Sequence, residues 1–168
     1  MSERSEQIVD AARALIDEGG SAALTMRALG ERLNIRAPSL YKHFPNKSAV
    51  EAQVITRAMR ELASALARAD SLVALAATYR AYALAHPHLY RLMNCGPLPR
   101  HLLPPGVEDA AALPLVRAVG GEMNRARAAW AFAHGMIILE LDGRFPPDAD
   151  LDSAWSTGLA AFADPARR

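Results

Sequence analysis

Apolar residues recur along this chain at helical spacing, and no stretch keeps the strict alternation of a strand. Ile8, Ala12, Leu15 and Ile16 form one stripe over residues 3 to 18, which predicts an amphipathic helix. Glu3 and Glu6 suit its positive end, and Gly19-Gly20 stops it. A shorter helix starts after Thr25, a good N-cap, with Leu24 and Leu29 as a hydrophobic staple and Leu29 and Leu33 as its apolar face. Asn34 stands where a left-handed residue is wanted. A second short helix begins near Arg36 or Ala37, with Pro38 in its first turn. Leu40 and Phe44 point inward there, leaving Ser39, Lys42 and His43 on the other side and Tyr41 on the flank.

Pro45 ends that helix and Asn46 caps the next, which runs to about Ala69 with Val50, Val54, Ala58, Leu62 and Leu66 four apart. At about 1.5 Å per residue it is a rod of about 36 Å. Ser71 to His86 carries Leu72, Leu75, Tyr79, Tyr82 and Ala83 at helical spacing, and Pro87 breaks it before a short turn of helix, His88 to Met93. Asn94 to Gly106 is rich in proline and glycine and reads as a loop. Val107 to Val119 is helical, kinked or divided at Pro114, and Gly120-Gly121 ends it. A strong helix follows from Glu122 to Asp142, closed by Gly143, and a last one spans Asp150 to Ala163, ended by Pro165. The expected fold is all-α. An N-terminal three-helix helix-turn-helix module (residues 1–48) is joined by the long helix to a C-terminal helical domain (residues 49–168).

Charge adds a function to this pattern. Net charge is only +1, and residues 1–50 hold 7 Lys and Arg against 6 Asp and Glu, so any affinity for a polyanion comes from arrangement. That arrangement exists: Arg32, Arg36, Lys42 and Lys47 lie between Arg32 and Val50 without one acid among them. A helix-turn-helix sets its second helix in the major groove while flanking groups hold phosphates. The competing reading is a solvated basic face on an ordinary helical protein. The single cysteine, Cys95, forms no internal disulfide, which fits a reducing compartment. The start MSERSEQIVD is unlike a signal peptide. The apolar run Ala128 to Leu139 is too short for a bilayer. A cytoplasmic protein with no membrane partner is expected.

Leu40-Tyr41-Lys42-His43-Phe44 with Asn46-Lys47 resembles the signature of the TetR family of bacterial transcription regulators, a Leu-Tyr-x-His-Phe helix end followed closely by Lys. The resemblance covers residues 5 to 55. It implies a homodimer on double-stranded DNA, with a near-palindromic operator, and a C-terminal domain that senses a small molecule. It further implies that Thr25, Tyr41, His43 and Lys47 mainly hold phosphates while Arg36, Ser39 and Lys42 lie nearer the bases. His43 has a second reading, as a residue that caps or packs inside the module. In that family the fourth helix is the usual lever between ligand and DNA. Trp130, His134 and Gly135, in the order W-x3-H-G and followed by Glu140, Gly143 and Phe145-Pro146, are similar to a WHG-type C-terminal domain. The last two helices would then pair with their copies as a four-helix bundle.

The expected effector is small and largely apolar, and its binding releases the protein from DNA. Met59, Leu62, Leu66, Tyr79, Tyr82, His86, Tyr90, Met93, Trp130 and His134 are the candidate pocket residues, apolar with a few polar tips. Each is equally readable as plain core, and a constitutive DNA-binding dimer without effector is the alternative. His86-Pro87-His88 with His101 and Cys95 lacks a zinc-like spacing, and nothing around Cys95 argues for an activated nucleophile. No metal, cofactor or enzymatic activity is expected.

Overall fold

The computed structural model describes residues 2–163. Helix α1 spans Glu3–Ala23, its first turn capped by Ser2, whose hydroxyl accepts the Ser5 N–H at 3.2 Å. Ile8, Val9, Ala11, Ala12 and Ile16 are its buried side. The glycine pair breaks the helical geometry as expected, since Gly20 has φ +71°, but one further turn follows before the chain leaves the helix. Leu24 and Leu29 are both buried, as a staple requires.

Helix α2 (Met26–Leu33) starts on Thr25, whose hydroxyl accepts the Ala28 N–H at 3.0 Å, and stops at Asn34 in the left-handed region, φ 50° and ψ 46°. Helix α3 (Ala37–Tyr41) follows with Pro38 in its first turn. The connection is tight because Ile35 N–H reaches back to the Gly30 carbonyl at 2.9 Å. A Cβ on Gly30 would stand 3.0 Å from the Ile35 oxygen, so the turn closes over a residue that has none. Helix α4 (Lys47–Leu66) is capped by Asn46, whose side-chain oxygen accepts the Ala49 N–H at 2.9 Å. Its buried positions include the expected four-residue series and, beyond it, Ala52, Ile55, Thr56 and Met59.

The remaining elements are α5 (Leu72–Ala85), α6 (Pro87–Asn94), a 3-10 turn at Arg100–Leu102 within the expected loop, α7 (Val107–Ala118), α8 (Met123–Leu141) and α9 (Leu151–Ala160). No strand occurs among the described residues. Pro114 does not divide α7, which runs through it. The carbonyl that loses its donor is that of Ala110, an exposed residue, so water can replace the bond. The expected stop at Pro165 lies outside the described residues.

Two compact units emerge, each interleaved in sequence. The first comprises Met1–Arg60 and His86–Val107, the second Glu61–Ala85 and Glu108–Arg168. Packing thus groups α4 as far as Arg60 and all of α6 with the helix-turn-helix. In the first unit α1 packs against α2 and α6, and α2 against α3. Leu89 and Tyr90 of α6 are fully buried.

In the second unit α5, α8 and α9 pack on one another. Val119, Ala126 and Ala129 form a buried cluster, joined by Leu72, Leu115, Val116 and Phe162. Arg80 of α5 ties the three helices together: its Nε and Nη2 donate to the two oxygens of Glu140 on α8 at 2.9 and 2.8 Å, and Nη1 donates to Asp152 on α9 at 2.8 Å. The bond to Glu140 holds the guanidinium above even its ordinary pKa, so the clamp keeps its cation at every working pH. Phe132 of α8 lies edge-on to Trp155, centroids 5.6 Å apart, with Phe162 at 5.9 Å.

That ring packs onto Gly158, where a Cβ would come within 2.1 Å of the Phe132 ring tip. The ring is held by its two aromatic neighbours and cannot swing away cheaply. Gly158→Ala should therefore destabilise the fold by about 1–3 kcal/mol through overpacking. Urea unfolding should show a lower midpoint with unchanged slope, and Phe132→Leu added to Gly158→Ala should recover part of the loss.

Candidate nucleic-acid interface

Two side chains decide the orientation of α3. Leu40 is fully buried and Phe44 nearly so, and their burial turns Ser39, Tyr41, Lys42 and His43 outward, all of them exposed. Tyr41 presents a large ring at 51% exposure. Arg36 at the N-cap is exposed too. Thr25, on the far side of the turn, is exposed while its hydroxyl caps α2.

The four cations of this stretch are not equivalent. Arg32 is bound to Glu18 of α1 at 2.5 Å. Lys47 donates to the Ser21 carbonyl at 2.6 Å and lies 3.4 Å from the Glu51 carboxylate, which also accepts the Ser21 hydroxyl at 2.6 Å. Arg36 and Lys42 have no such partner among the described residues. The positive charge that faces outward unopposed is therefore on and beside α3, with Lys47 held at its edge and half-exposed. His43 is drawn inward at one nitrogen, Nδ1 lying 3.3 Å from the Ser5 hydroxyl of α1. The ring is thus exposed yet tethered.

Comparison with known proteins gives this geometry a family. Residues 8–54 match the description "Bacterial regulatory proteins, tetR family", and residues 72–162 match "Tetracyclin repressor-like, C-terminal domain". The second match alone spans more than half of the chain. The chain belongs to the TetR family. It is thus a helix-turn-helix, DNA-binding transcriptional regulator of that family. It is similar to an uncharacterised HTH-type transcriptional regulator of Mycobacterium tuberculosis, 28% identical over 94% of this chain and 79% of the relative. A stretch of 45 residues, 27% of this chain, is 44% identical to the HTH-type transcriptional repressor KstR of Rhodococcus jostii, of which it covers 21%. Among solved structures, a regulatory protein superposes with TM-score 0.78 at 25% identity over 95% of both chains. A TetR variant from Acinetobacter baumannii in complex with minocycline superposes with TM-score 0.64 at 22% identity, over 96% of this chain and 94% of that one, a likeness of fold.

In this TetR-family chain the ten sequence-selected pocket residues divide between the units. Met59, His86, Tyr90 and Met93 belong to the first, and Leu62, Leu66, Tyr79, Tyr82, Trp130 and His134 to the second. Met59, Leu62, Leu66, Tyr79, Tyr90 and Met93 are buried, and Tyr82, His86 and His134 half-buried. Trp130 is 46% exposed. Three of them meet: the Trp130 indole N–H donates to the Tyr79 hydroxyl at 3.1 Å, and the Trp130 and His134 rings lie 6.0 Å apart. Among the described residues no group of histidine, cysteine, aspartate and glutamate is arranged for a metal. No described helix is long and apolar enough to cross a membrane.

The residues that hold these side chains in place were not among those the sequence singled out. Glu51 was legible as an i,i+4 neighbour of Lys47. Ser21 gave no signal, because it contributes a backbone carbonyl from another helix. Ser5, the contact of His43, is buried in α1 three residues before Ile8, on the side of the apolar stripe, and as a serine it carries no apolar signal.

Burial pushes the His134 imidazole below its ordinary value. The unfolded chain then takes a proton at a pH where the fold still resists it. Stability from this source is complete above about pH 6.5, the ordinary imidazole value, and is lost as the pH falls through the folded value. Melting temperatures measured down to about pH 5 should fall less steeply for His134→Gln than for the native chain.

Proposed function

We propose that the protein is a homodimeric, ligand-responsive repressor that leaves a near-palindromic operator when a small, largely apolar effector binds. The observation that carries the DNA part is the pair Arg36 and Lys42, exposed and unopposed on the outward side of the buried Leu40 and Phe44. These two, with Ser39, read base edges; Thr25, Tyr41, His43 and Lys47 hold phosphates. Phosphate contacts position the protein and base contacts specify the sequence.

Dimerisation uses α8 and α9. Support comes from Ala128, Ala131 and Leu139, exposed on α8, and from Gly135, where no described residue beyond its own stretch of helix lies within 4 Å of an added Cβ. The effector lies near Tyr79, Tyr82 and Trp130 in the second unit. Its support is the aromatic group of Tyr79, Trp130 and His134, half-exposed at the indole. The fold is also one that accommodates minocycline in the Acinetobacter baumannii variant. The W-x3-H-G order of Trp130, His134 and Gly135 supports a WHG-type variety of the C-terminal domain, and the protein works in the cytoplasm.

Two measurements test this reading. Lys42→Ala should cost about 1–3 kcal/mol on the operator and less on random DNA, whereas Lys47→Ala should weaken both alike and flatten the salt dependence. Titrations at two salt concentrations separate them, and equal losses for Lys42→Ala on both DNAs remove it as a base reader. Sedimentation should give a dimer mass at micromolar concentration, with half-sites about 34–36 Å apart in the operator. Gly135→Leu should shift the population toward monomer; an unchanged dimer discards this interface.

A further inference from the structure

Beside Lys47 the first unit has a cleft of about 420 Å³ that lies wholly within that unit. α1 contributes Ser21, α4 contributes Glu51 and Ile55, and α6 contributes Arg91 and Leu92, with Pro97 of the following loop at the edge. Its size falls within the range of small-molecule sites, about 300–1,000 Å³. No residue proposed above for the effector lines it.

Charge decides what the cleft accepts. Glu51 is the sole acid among the described residues that line it, and its charge is already met inside the protein, by Lys47 at 3.4 Å and the Ser21 hydroxyl at 2.6 Å. Arg91 stands on the α6 side, and a guanidinium stays cationic at any working pH. Its five N–H donors in a planar fork let it receive a carboxylate while keeping the bonds it already makes. His88 adds a further nitrogen donor to the lining. Arg91 and His88 thus bring nitrogen donors to the cleft, beside an apolar floor of Ile55 and Leu92.

We propose that this cleft binds a small organic anion, a carboxylate on an apolar body, and that its occupancy regulates Lys47. The head lies on Arg91 and the body on the apolar floor. Negative charge brought beside Ser21 and Glu51 strengthens the hold on the Lys47 ammonium and withdraws it from DNA. This last step rests on the reading of Lys47 as a phosphate contact.

Cys95 makes the site testable without DNA. It is the single cysteine, exposed, and lines the same cleft, so its alkylation by iodoacetamide reports occupancy. Octanoate is the probe, with octanol and octylammonium as neutral and cationic controls. Octanoate should slow alkylation saturably and several-fold, and the controls should not. Arg91→Gln should weaken the protection about tenfold, and Glu51→Gln should strengthen it, each variant being checked for folding by its melting curve. No protection, equal protection by all three probes, or protection unchanged in both variants overturns the site. In the second experiment octanoate should lower the affinity of the native protein for its operator by about fivefold or more, and by nothing in Lys47→Ala. Protection of Cys95 without a change in DNA affinity overturns the regulation and leaves the site. A protein that binds no DNA at all fails the reading of Lys47, while the alkylation result still decides the cleft.

Discussion

A helix of five residues cannot sustain itself, since isolated helices shorter than about 12–15 residues are marginal in water. The segment of this protein best placed to meet DNA is such a helix, α3. Its form is imposed from outside. Asn34 takes the left-handed conformation that reverses the chain, the Ile35 N–H closes on the Gly30 carbonyl, and Leu40 goes to full burial. Burying a leucine is worth about 1.5–3 kcal/mol, enough to fix the rotation of so short an element. The outward set Ser39, Tyr41, Lys42 and His43 follows from that rotation.

Rotation sets the positions of the charges, and local pairing sets their strength. At physiological salt the screening length is about 8 Å, so a carboxylate 2.5 Å from Arg32 outweighs any more distant group. Four cations in sequence thus become a narrower positive feature, centred on Arg36 and Lys42. Lys47 is intermediate: anchored on a carbonyl and an acid, yet half-exposed, with a third proton to offer. A tethered ammonium loses less freedom on meeting a phosphate than a loose one, at the cost of competing with Glu51.

Much of this was legible before any coordinates. Thr25, Asn34 and Asn46 announce helix ends through chemistry that acts within three or four residues, and the helix boundaries follow. Leu40 and Phe44 announce a buried face by spacing alone. What did not read through was contact at long range in sequence. The pairing of Arg80 with Glu140 and Asp152, the carbonyl of Ser21 under Lys47, and the seating of Phe132 on Gly158 join residues from 26 to 72 positions apart or from separate helices. Periodicity carries no record of such meetings. Gly158 illustrates the limit: nothing in the sequence pattern marks it, yet the Phe132 ring packs onto it.

The membership of α6 in the first unit also constrains how the protein comes into being. Ile8, Ala12 and Ile16 belong to a helix whose partners include α6, far later in the chain, where Leu89 and Tyr90 are buried. Synthesis runs from the N-terminus at about 5–20 residues per second, so some seconds separate residue 60 from residue 107. During that interval α1 has its α2 neighbour and lacks its α6 neighbour. The nascent helix-turn-helix therefore leaves the ribosome with apolar surface uncovered, and it completes its core only when the chain returns to it. A messenger that slowed translation between those two points would prolong the exposure without altering one residue of the product.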